Sequence, residues 1–401
     1  MLQSASPKQS QETSDPSRVA SMVARRLLQV LVLLHYAAWS GAAVLTPPDI
    51  PMQLLIRTIY EWGDQIAVIT DRVQITEKGA SALNVVDRSG SRLVPIRVLG
   101  CDTYHDVAYD AGLGKLLLCG TGESARVYSV SGTSWTAASE PVQGTEFRFA
   151  VDGDRIAVVS ENAILLMSAS TSGRPAGSPT RIRTPQRPMP SALLLGNDVL
   201  LIAYDQGEFG GGLYRMDLKQ LDKPMTRLIA DNVKALARAK SGVIWAAGGL
   251  AHMASVSGSL YRVGSNGVEV VAAISGMRFR PQDEKIDKKS GAQFPGLTSV
   301  SGLSLGKDDR PTVVLPEFGV FELAGDRFVR LYEGRLRHSY QMPGYGVGSS
   351  PVGLAIGTSG EIYVADRSLG IFVLRKDDNR YNLKQLLFND PAHDKPLNPT
   401  R

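Results

Sequence analysis

Cysteine and aromatic residues are scarce in this chain of 401 residues. It contains two cysteines, and Phe, Trp and Tyr together make up 7% of its residues. Two cysteines cannot hold together a small disulfide-rich scaffold, and so few aromatic residues give no clear stacking platform for nucleic acid. The formal net charge is also small, +5 at pH 7. A charge of this size favours solubility and weak attraction to anions, and we expect no nucleic-acid partner.

Signatures of helices and of several common enzymes are also absent. The sequence contains no G-x-S-x-G elbow, no phosphate-binding P-loop, no dinucleotide-binding fingerprint and no sialidase Asp-box turn. No window shows a sustained apolar pattern of helical period, so connecting helices are not expected. The hydrophobic content of 43% is nevertheless too high for a disordered chain.

The first long apolar run follows a basic pair. Arg25 and Arg26 precede the run Leu27–Leu34, and small residues at 40–43 offer a cleavage site. This order is typical of a secretory signal peptide. The alternative is an uncleaved anchor, because the apolar stretch nearly reaches the ~20 residues that a membrane-spanning helix needs. We therefore predict a signal peptide or N-terminal anchor over residues 1–43, a periplasmic or secreted location, and membrane contact only if the segment stays uncleaved.

The predicted export affects the expected redox state of the two cysteines, Cys101 and Cys119. An oxidising compartment permits a disulfide between them. The alternative is a pair of buried free thiols that pack as small apolar side chains. The sequence leaves both alternatives open.

A pattern of four strands recurs seven times along the rest of the chain. Each copy has a strand rich in small residues, a turn of Gly, Asp, Asn, Lys or Ser, an apolar strand and two further strands. Successive turns lie about 40 to 66 residues apart, close to the ~40–50 residues of a propeller blade. The apolar second strands are Ile66–Thr70, Leu116–Gly120, Ile156–Ser160, Val199–Tyr204, Val243–Ala247, Thr312–Leu315 and Ile362–Ala365.

These strands favour a β-propeller over a sandwich. Continuous apolar strands are expected where both faces of a sheet are covered, as in a blade between two neighbours. Small residues in each first strand fit the crowded centre where the blades converge. We predict an all-β fold, a seven-bladed β-propeller of four-stranded antiparallel blades over residues 44–390, with six or eight blades as the alternative. A polar tail at 391–401 follows it.

Two segments resemble known propeller repeats. GVIWAAGG (Gly242–Gly249), followed by GSLYRV (Gly258–Val263), resembles the repeat of two-component-regulator propellers. GEIYVADRSLGIFVL (Gly360–Leu374) is similar to the repeat shared by NHL and gluconolactonase-type propellers. The resemblance implies a bacterial secreted propeller. Those families include sensors, scaffolds, lactonases, lyases and quinoproteins, so the resemblance implies architecture and does not select a function.

Two segments depart from the repeat. The stretch between Ile274 and Thr298 is long and charged, and it is either a solvated surface insertion or a lid or partner loop. The stretch from Arg335 to Ser350 joins the sixth and seventh blades and is dense in Arg, His, Tyr and Gly.

The polar residues of the loops indicate where a site would lie. In a propeller, the loops that join fourth to first strands and second to third strands share one face around the central channel. A mouth lined by both signs of charge and by tyrosines suits a polar or anionic small molecule, a carbohydrate or a protein partner. The candidate ligand-binding residues are His105, Glu161, Asp205, His252, Glu317, Arg337, His338, Tyr340 and Asp366.

Metal chemistry at the mouth is an open alternative. Calcium prefers several carboxylate and carbonyl oxygens, and the carboxylates that could converge near the axis are Glu161, Asp205, Glu317 and Asp366. Gluconolactonase-like enzymes hold an ion in this channel, but their ligand positions do not match residues of this chain. Zinc is less suited, because the histidines beyond the signal segment are scattered.

The strong blade pattern beside absent catalytic motifs predicts an exported binding module without chemistry of its own. The main alternative is a metal-assisted hydrolase or lactonase, or a sugar lyase, that uses the same channel mouth. In a lyase, His338 and Tyr340 would act as base and acid, with Arg335 or Arg337 neutralising a substrate carboxylate. A quinone-cofactor dehydrogenase is the third alternative.

Overall fold

The protein is described from a computed structural model. No helix in the described part of the chain is long and apolar enough to cross a membrane. The predicted signal segment and the polar tail lie outside the described residues. The structure describes residues 53–73, 78–87, 93–98, 100–131, 134–161, 163–168, 176–182, 189–196, 198–252, 255–265, 267–277, 280–287, 291–334, 351–366, 370–378 and 380–386.

The first four blades contain strands β1 to β17. Blade 1 comprises β1 (Gln53–Trp62), β2 (Gln65–Val73), β3 (Lys78–Val86) and β4 (Leu93–Ile96). Blade 2 comprises β5 (Thr103–Asp110), β6 (Gly114–Thr121), β7 (Ser124–Ser131), β8 (Ser134–Ala137) and the short β9 (Val142–Gln143). Blade 3 comprises β10 (Phe147–Asp152), β11 (Arg155–Ser160), β12 (Ile164–Ser168) and β13 (Ala176–Ile182). Blade 4 comprises β14 (Ala192–Gly196), β15 (Val199–Asp205), β16 (Gly211–Asp217) and β17 (Thr226–Ile229), with a 3₁₀ turn at Gly207–Phe209.

The last three blades contain strands β18 to β31. Blade 5 comprises β18 (Val233–Arg238), β19 (Ile244–Gly248), the short β20 (Ala251–His252), β21 (Ser255–Gly264), β22 (Gly267–Met277) and β23 (Arg280–Ile286). Blade 6 comprises β24 (Gly302–Leu305), β25 (Pro311–Leu315), β26 (Gly319–Ala324) and β27 (Arg327–Glu333). Blade 7 comprises β28 (Pro351–Ile356), β29 (Ile362–Asp366), β30 (Gly370–Asp377) and β31 (Arg380–Leu386).

The molecule is a seven-bladed β-propeller, as the repeats predict. Each blade is an antiparallel sheet of consecutive strands, and the first strand of every sheet lies innermost. The seven apolar segments identified in the sequence are the second strands, β2, β6, β11, β15, β19, β25 and β29. Their central residues are buried because each blade packs between two neighbours.

The inner strands form a closed ring. Strands β1, β5, β10, β14, β18, β24 and β28 each lie beside the next, and β28 lies beside β1. The apolar core is divided among the seams between blades, and one cluster joins Ile56 and Ile59 of blade 1 to Ala355 and Ile371 of blade 7. The first and last blades therefore close the ring by the same kind of packing that joins the other blades.

Cys101 and Cys119 form a disulfide with a Cα–Cα distance of 5.7 Å. Cys101 lies just before β5, and Cys119 lies in β6 of the same blade. The N–H of Asp102 also donates to the carbonyl of Gly120 over 3.0 Å, so the chain folds back across the end of the strand. Of the two alternatives for these cysteines, the pair of free thiols is wrong.

The long charged segment of blade 5 is partly a fifth strand. Its central part, β23, pairs with β22 at the outer edge of the blade. Ala292 and Phe294 then turn inward and join the apolar core between blades 5 and 6. Phe294 stacks on Phe328 with ring centroids 4.9 Å apart. The segment is thus a structural part of two blades as well as a surface feature.

Candidate functional site

A pocket of about 500 Å³ opens over blades 1, 2 and 3. It lies at the end of the propeller where the inner strands begin, which is the face predicted from the loops. Inner strands β1, β5 and β10 each contribute to its walls, so rigid backbone positions its polar groups. The lining residues are Arg57, Asp71, Ser81, Thr103, His105, Gly122, Thr145, Glu146, Phe147, Arg148 and Met189.

One wall of the pocket holds an ion pair within blade 1. Arg57 of β1 donates from Nε to Asp71 Oδ2 over 3.0 Å and from Nη2 to Asp71 Oδ1. The other terminal nitrogen, Nη1, donates to the carbonyl oxygen of Tyr104 over 3.0 Å. The Arg57 and Asp71 side chains are only 23% and 22% exposed. This two-pronged contact fixes both groups and ties blade 1 to blade 2 at the pocket wall.

A second charged group lies deeper and spans three blades. Asp106 of β5 is 3% exposed, and Arg148 Nη1 of β10 lies 3.7 Å from its Oδ1. The same nitrogen donates to the hydroxyl of Tyr60 in β1 over 3.3 Å. The backbone N–H groups of Val107 and Phe149 each donate to the Asp106 carboxylate over 3.1 Å. Tyr60, Asp106 and Arg148 therefore link the inner strands of blades 1, 2 and 3.

Burial changes the acidity of this group. Burial raises the pKa of the Asp106 carboxyl above its usual range, although the nearby Arg148 guanidinium and several hydrogen bonds act in the opposite direction. Burial also raises the pKa of the Tyr60 hydroxyl, and the neighbouring Asp106 adds to this effect. Tyr60 is consequently protonated throughout the physiological range, as a donor to the carboxylate requires.

Blades 2 and 3 also bring an aromatic contact to the pocket lining. His105 is 3% exposed, and its ring meets the ring of Phe147 edge to face with centroids 4.8 Å apart. Ser81 donates from its hydroxyl to the carbonyl of Tyr104 over 3.0 Å, which positions the start of β5. Six of the nine residues predicted for the mouth lie in the described part of the chain, and of these His105 is the one in the lining of this pocket.

Glu161 lies beside the pocket and binds the backbone of two residues at its rim. Its carboxylate accepts hydrogen bonds from the backbone N–H groups of Thr145 at 3.0 Å and Glu146 at 3.4 Å. Burial acts to raise the pKa of Glu161, but these N–H groups and its own N–H outweigh burial and lower the pKa. The predicted ligand-binding residue thus positions two residues that line the pocket.

The other predicted residues lie around the same face in other blades. Asp205 ends the second strand of blade 4, and the Lys234 ammonium lies 4.0 Å from its carboxylate. His252 pairs through its backbone with Ser255, and Glu317 lies between β25 and β26. Asp366 ends β29 and is fully buried. Arg337, His338 and Tyr340 lie outside the described residues, and their roles remain predictions.

The carboxylates considered for a calcium site do not come together. Glu161, Asp205, Glu317 and Asp366 do not form a common cluster. In the parts of the chain that the structure describes, no three His, Cys, Asp or Glu side chains lie close enough together to hold an ion. The four residues lie at or just after the ends of the second strands of four different blades.

The sequence analysis missed most of the pocket because it considered loop tips. Arg57, Asp106 and Arg148 lie inside the inner strands, and each has at least one apolar neighbour in the sequence. An isolated charge in a strand that converges on the axis would have been a usable signal, because such a side chain needs a partner. Glu146 and Thr145 precede β10 and form the rim.

A second groove of about 540 Å³ lies on blade 5, far out along the sheet. It is formed by outer strands β21, β22 and β23, and Met277 is partly exposed in it. Exposed charges of Asp283, Glu284 and Lys285 complete its wall. The pocket over blades 1 to 3 is the better candidate, because its polar groups are held by hydrogen bonds between inner strands.

The sequence matches no protein-family model, and it matches no curated protein. Among solved structures, a protein from Lactobacillus plantarum superposes with a TM-score of 0.51 at 12% identity, covering 80% of this chain and 95% of that one. The propeller domain of the Trilobed protease from Pyrococcus furiosus gives a TM-score of 0.48 at 10% identity, covering 86% of this chain and 98% of that one.

The extracellular domain of a hybrid two-component system from B. thetaiotaomicron gives a TM-score of 0.44 at 12% identity. The match covers 80% of this chain and 41% of that longer one. At these identities the likeness concerns the fold alone. At that level, the resemblance to known propeller proteins is confirmed.

Proposed function

We propose that this protein is an exported β-propeller binding module that takes a polar ligand into the pocket over blades 1 to 3, without catalysis of its own. The observation that carries the proposal is the pocket itself. Its volume of about 500 Å³ lies within the range of small-ligand sites. Its polar groups are held in place by inter-blade hydrogen bonds before any ligand arrives, which lowers the cost of binding.

Two observations support export. The N-terminal sequence has the order of a basic pair, an apolar run and small residues that a secretory signal requires. The disulfide between Cys101 and Cys119 agrees with folding in an oxidising compartment, because such bridges are rare in the cytosol. Binding without catalysis is inferred from the sequence, where the blade pattern is strong and familiar catalytic motifs are absent.

The test is a ligand screen with a blocked variant. Purified protein is screened by thermal shift against a library of sugars, organic acids, amino acids and short peptides, and hits are measured by calorimetry. Thr145 is exposed at the rim, so Thr145→Trp should fill the entrance and abolish binding. The matched control is Asp154→Trp, an exposed hairpin position at the opposite end of blade 3, which should bind normally.

Two results would contradict the proposal. Binding that survives Thr145→Trp would place the ligand elsewhere on the molecule. Turnover of lactone or uronate substrates that is lost on treatment with EDTA would instead favour a metal-assisted enzyme at the mouth.

A further inference from the structure

The charges that line the pocket are already paired with one another. Arg57 holds Asp71 through Nε and Nη2 and holds the Tyr104 carbonyl through Nη1. Each of the three guanidinium nitrogens therefore has an acceptor from the protein, which uses three of its five N–H donors. An incoming carboxylate would have to compete with a resident carboxylate that is fixed in the best geometry for binding arginine.

Arg148 is neutralised in a similar way. The Asp106 carboxylate lies 3.7 Å from it and is not part of the pocket lining. Glu146, which is exposed at the rim, adds a further negative charge near the same guanidinium. The lining contains two arginines and two carboxylates, and the buried Asp106 is paired with one of these arginines. The pocket consequently presents no net positive field that would attract an anion.

A cation is not favoured either. The Asp71 carboxylate accepts from the Arg57 guanidinium, and the Asp106 carboxylate is paired with Arg148 at 3.7 Å and accepts from two backbone N–H groups. An ammonium group would therefore meet carboxylates whose charge is already matched by arginine. A charged ligand of either sign would have to leave water without gaining a full counter-charge, which is costly.

A neutral ligand with several hydroxyl groups fits these paired charges. A hydroxyl group both donates and accepts, so it can bridge a guanidinium N–H and a carboxylate oxygen of the same ion pair. Arg57 and Asp71 offer this combination at the wall, and the hydroxyl groups of Thr103 and Thr145 extend it. We propose that the ligand is an uncharged, hydroxyl-rich molecule, a sugar unit or polyol; this inference rests on the proposed function of the same pocket.

The test compares sugars that differ only in charge. Galactose, galacturonate and galactosamine, with the matching glucose and mannose series and an array of neutral oligosaccharides, are measured by calorimetry at low and high salt. We expect the neutral member that binds to bind at least about tenfold more tightly than its acidic and amino counterparts. Its affinity should not change with salt, because no net charge is neutralised.

A variant provides a sharper outcome. Asp71→Asn keeps the size of the side chain and removes the charge that neutralises Arg57. It should weaken neutral-sugar binding about tenfold and shift the preference toward the uronate, because the guanidinium then faces the pocket with its charge uncompensated. The matched control is Asp154→Asn on the distant hairpin, which should leave both affinities unchanged.

The outcomes separate this inference from the function on which it rests. Binding of a uronate, amino sugar, organic acid or peptide in preference to neutral sugars, if Thr145→Trp blocks it, overturns the inference and leaves the binding function intact. Neutral-sugar binding that persists in Thr145→Trp overturns the proposed site. Failure of every library member to bind counts against both.

Discussion

At the scale of single residues, hydrogen bonds and ion pairs between the inner strands fix the positions of the charged groups at the site. Asp106 is nearly fully buried and faces Arg148 on the next blade and Tyr60 on the previous one. A buried charge is tolerated only when it is paired and hydrogen-bonded, and Asp106 meets both conditions. The same contacts that stabilise it hold Arg148 at the pocket wall.

The raised pKa of Asp106 makes a prediction about pH. The pKa of this carboxyl is higher in the folded than in the unfolded state, so its contribution to the unfolding free energy falls as the pH rises. The fall begins near pH ~4, the ordinary pKa of an aspartate, and levels off above the folded-state pKa. Asp106→Asn removes this titration. The difference in unfolding free energy, wild type minus variant, should therefore fall over that range of pH. Unfolding in guanidinium chloride at several pH values measures this difference.

Asp154→Asn is the control for this titration, because Asp154 is exposed on a hairpin turn. Its difference from wild type should stay flat. A difference for Asp106→Asn that rises with pH would mean that Arg148 lowers the pKa of the carboxyl more than burial raises it.

Trp245 tests the packing between blades. Its side chain is 6% exposed in the core between blades 5 and 6, and the Arg262 guanidinium lies 5.1 Å from its ring centroid. Trp245→Ala should cost about 3–5 kcal/mol of unfolding free energy, because it leaves a large cavity. The control is Tyr109→Ala, since Tyr109 is 50% exposed and its loss should cost much less. The two costs are compared by urea unfolding, and equal costs would contradict the assigned burial.

At the scale of strands and turns, close approaches of backbone set the positions of glycine. Gly120 ends the buried part of β6, and a Cβ atom added there would lie 1.9 Å from the carbonyl oxygen of Ser124. Gly120→Ala should thus cost about 1–3 kcal/mol or more, because strands β6 and β7 must move apart. Gly112→Ala, in an exposed turn of the same blade, should be close to neutral. Thermal unfolding followed by circular dichroism compares them; equal effects would contradict the close contact.

The disulfide constrains the start of β5, where Thr103 and His105 line the pocket. It closes a loop with a sequence separation of 18 residues. Replacing both Cys101 and Cys119 by Ala should cost about 3 kcal/mol, since the unfolded chain regains its freedom. Guanidinium unfolding of the double variant measures the loss, and wild type in reductant should approach the same value. No change in stability would show that the bridge does not constrain the fold.

The strands and their order were predictable from the sequence, and the pocket was not. Apolar runs such as Leu116–Gly120 predict second strands because a blade covers both faces of its sheet. Glu161 was selected because it follows such a strand, yet it binds backbone N–H groups of a neighbouring loop. Tyr60, Asp106 and Arg148 belong to three different blades and are far apart in the sequence. A local sequence pattern therefore cannot show that their side chains meet.

At the scale of the whole molecule, each sheet in the described part of the chain is made of strands from one continuous segment. Among the described residues, blade 1 and blade 7 are therefore joined by packing and hydrogen bonds and not by a shared sheet. Ile59 is 4% exposed at this seam and lies against the inner strand of blade 7 near Gly353. The Glu61 carboxylate accepts from the N–H of Ile356 over 3.0 Å and from the hydroxyl of Ser304 in blade 6.

We predict that the packing between blades 1 and 7 contributes as much to the unfolding free energy as the packing between other neighbouring blades. Ile59→Ala at the closing seam and Ile202→Ala, in the core between blades 3 and 4, should each cost about 2–5 kcal/mol, because both delete buried methyl groups. Unfolding of both variants should remain one transition by near- and far-ultraviolet circular dichroism, since a ring that loses one seam exposes the apolar faces of two blades at once. An early, separate transition in Ile59→Ala alone would show that the ring opens there before the other blades unfold. Ligand binding in the pocket, which needs blades 1 to 3 in their native positions, would then also be weakened by Ile59→Ala at the seam between blades 1 and 7.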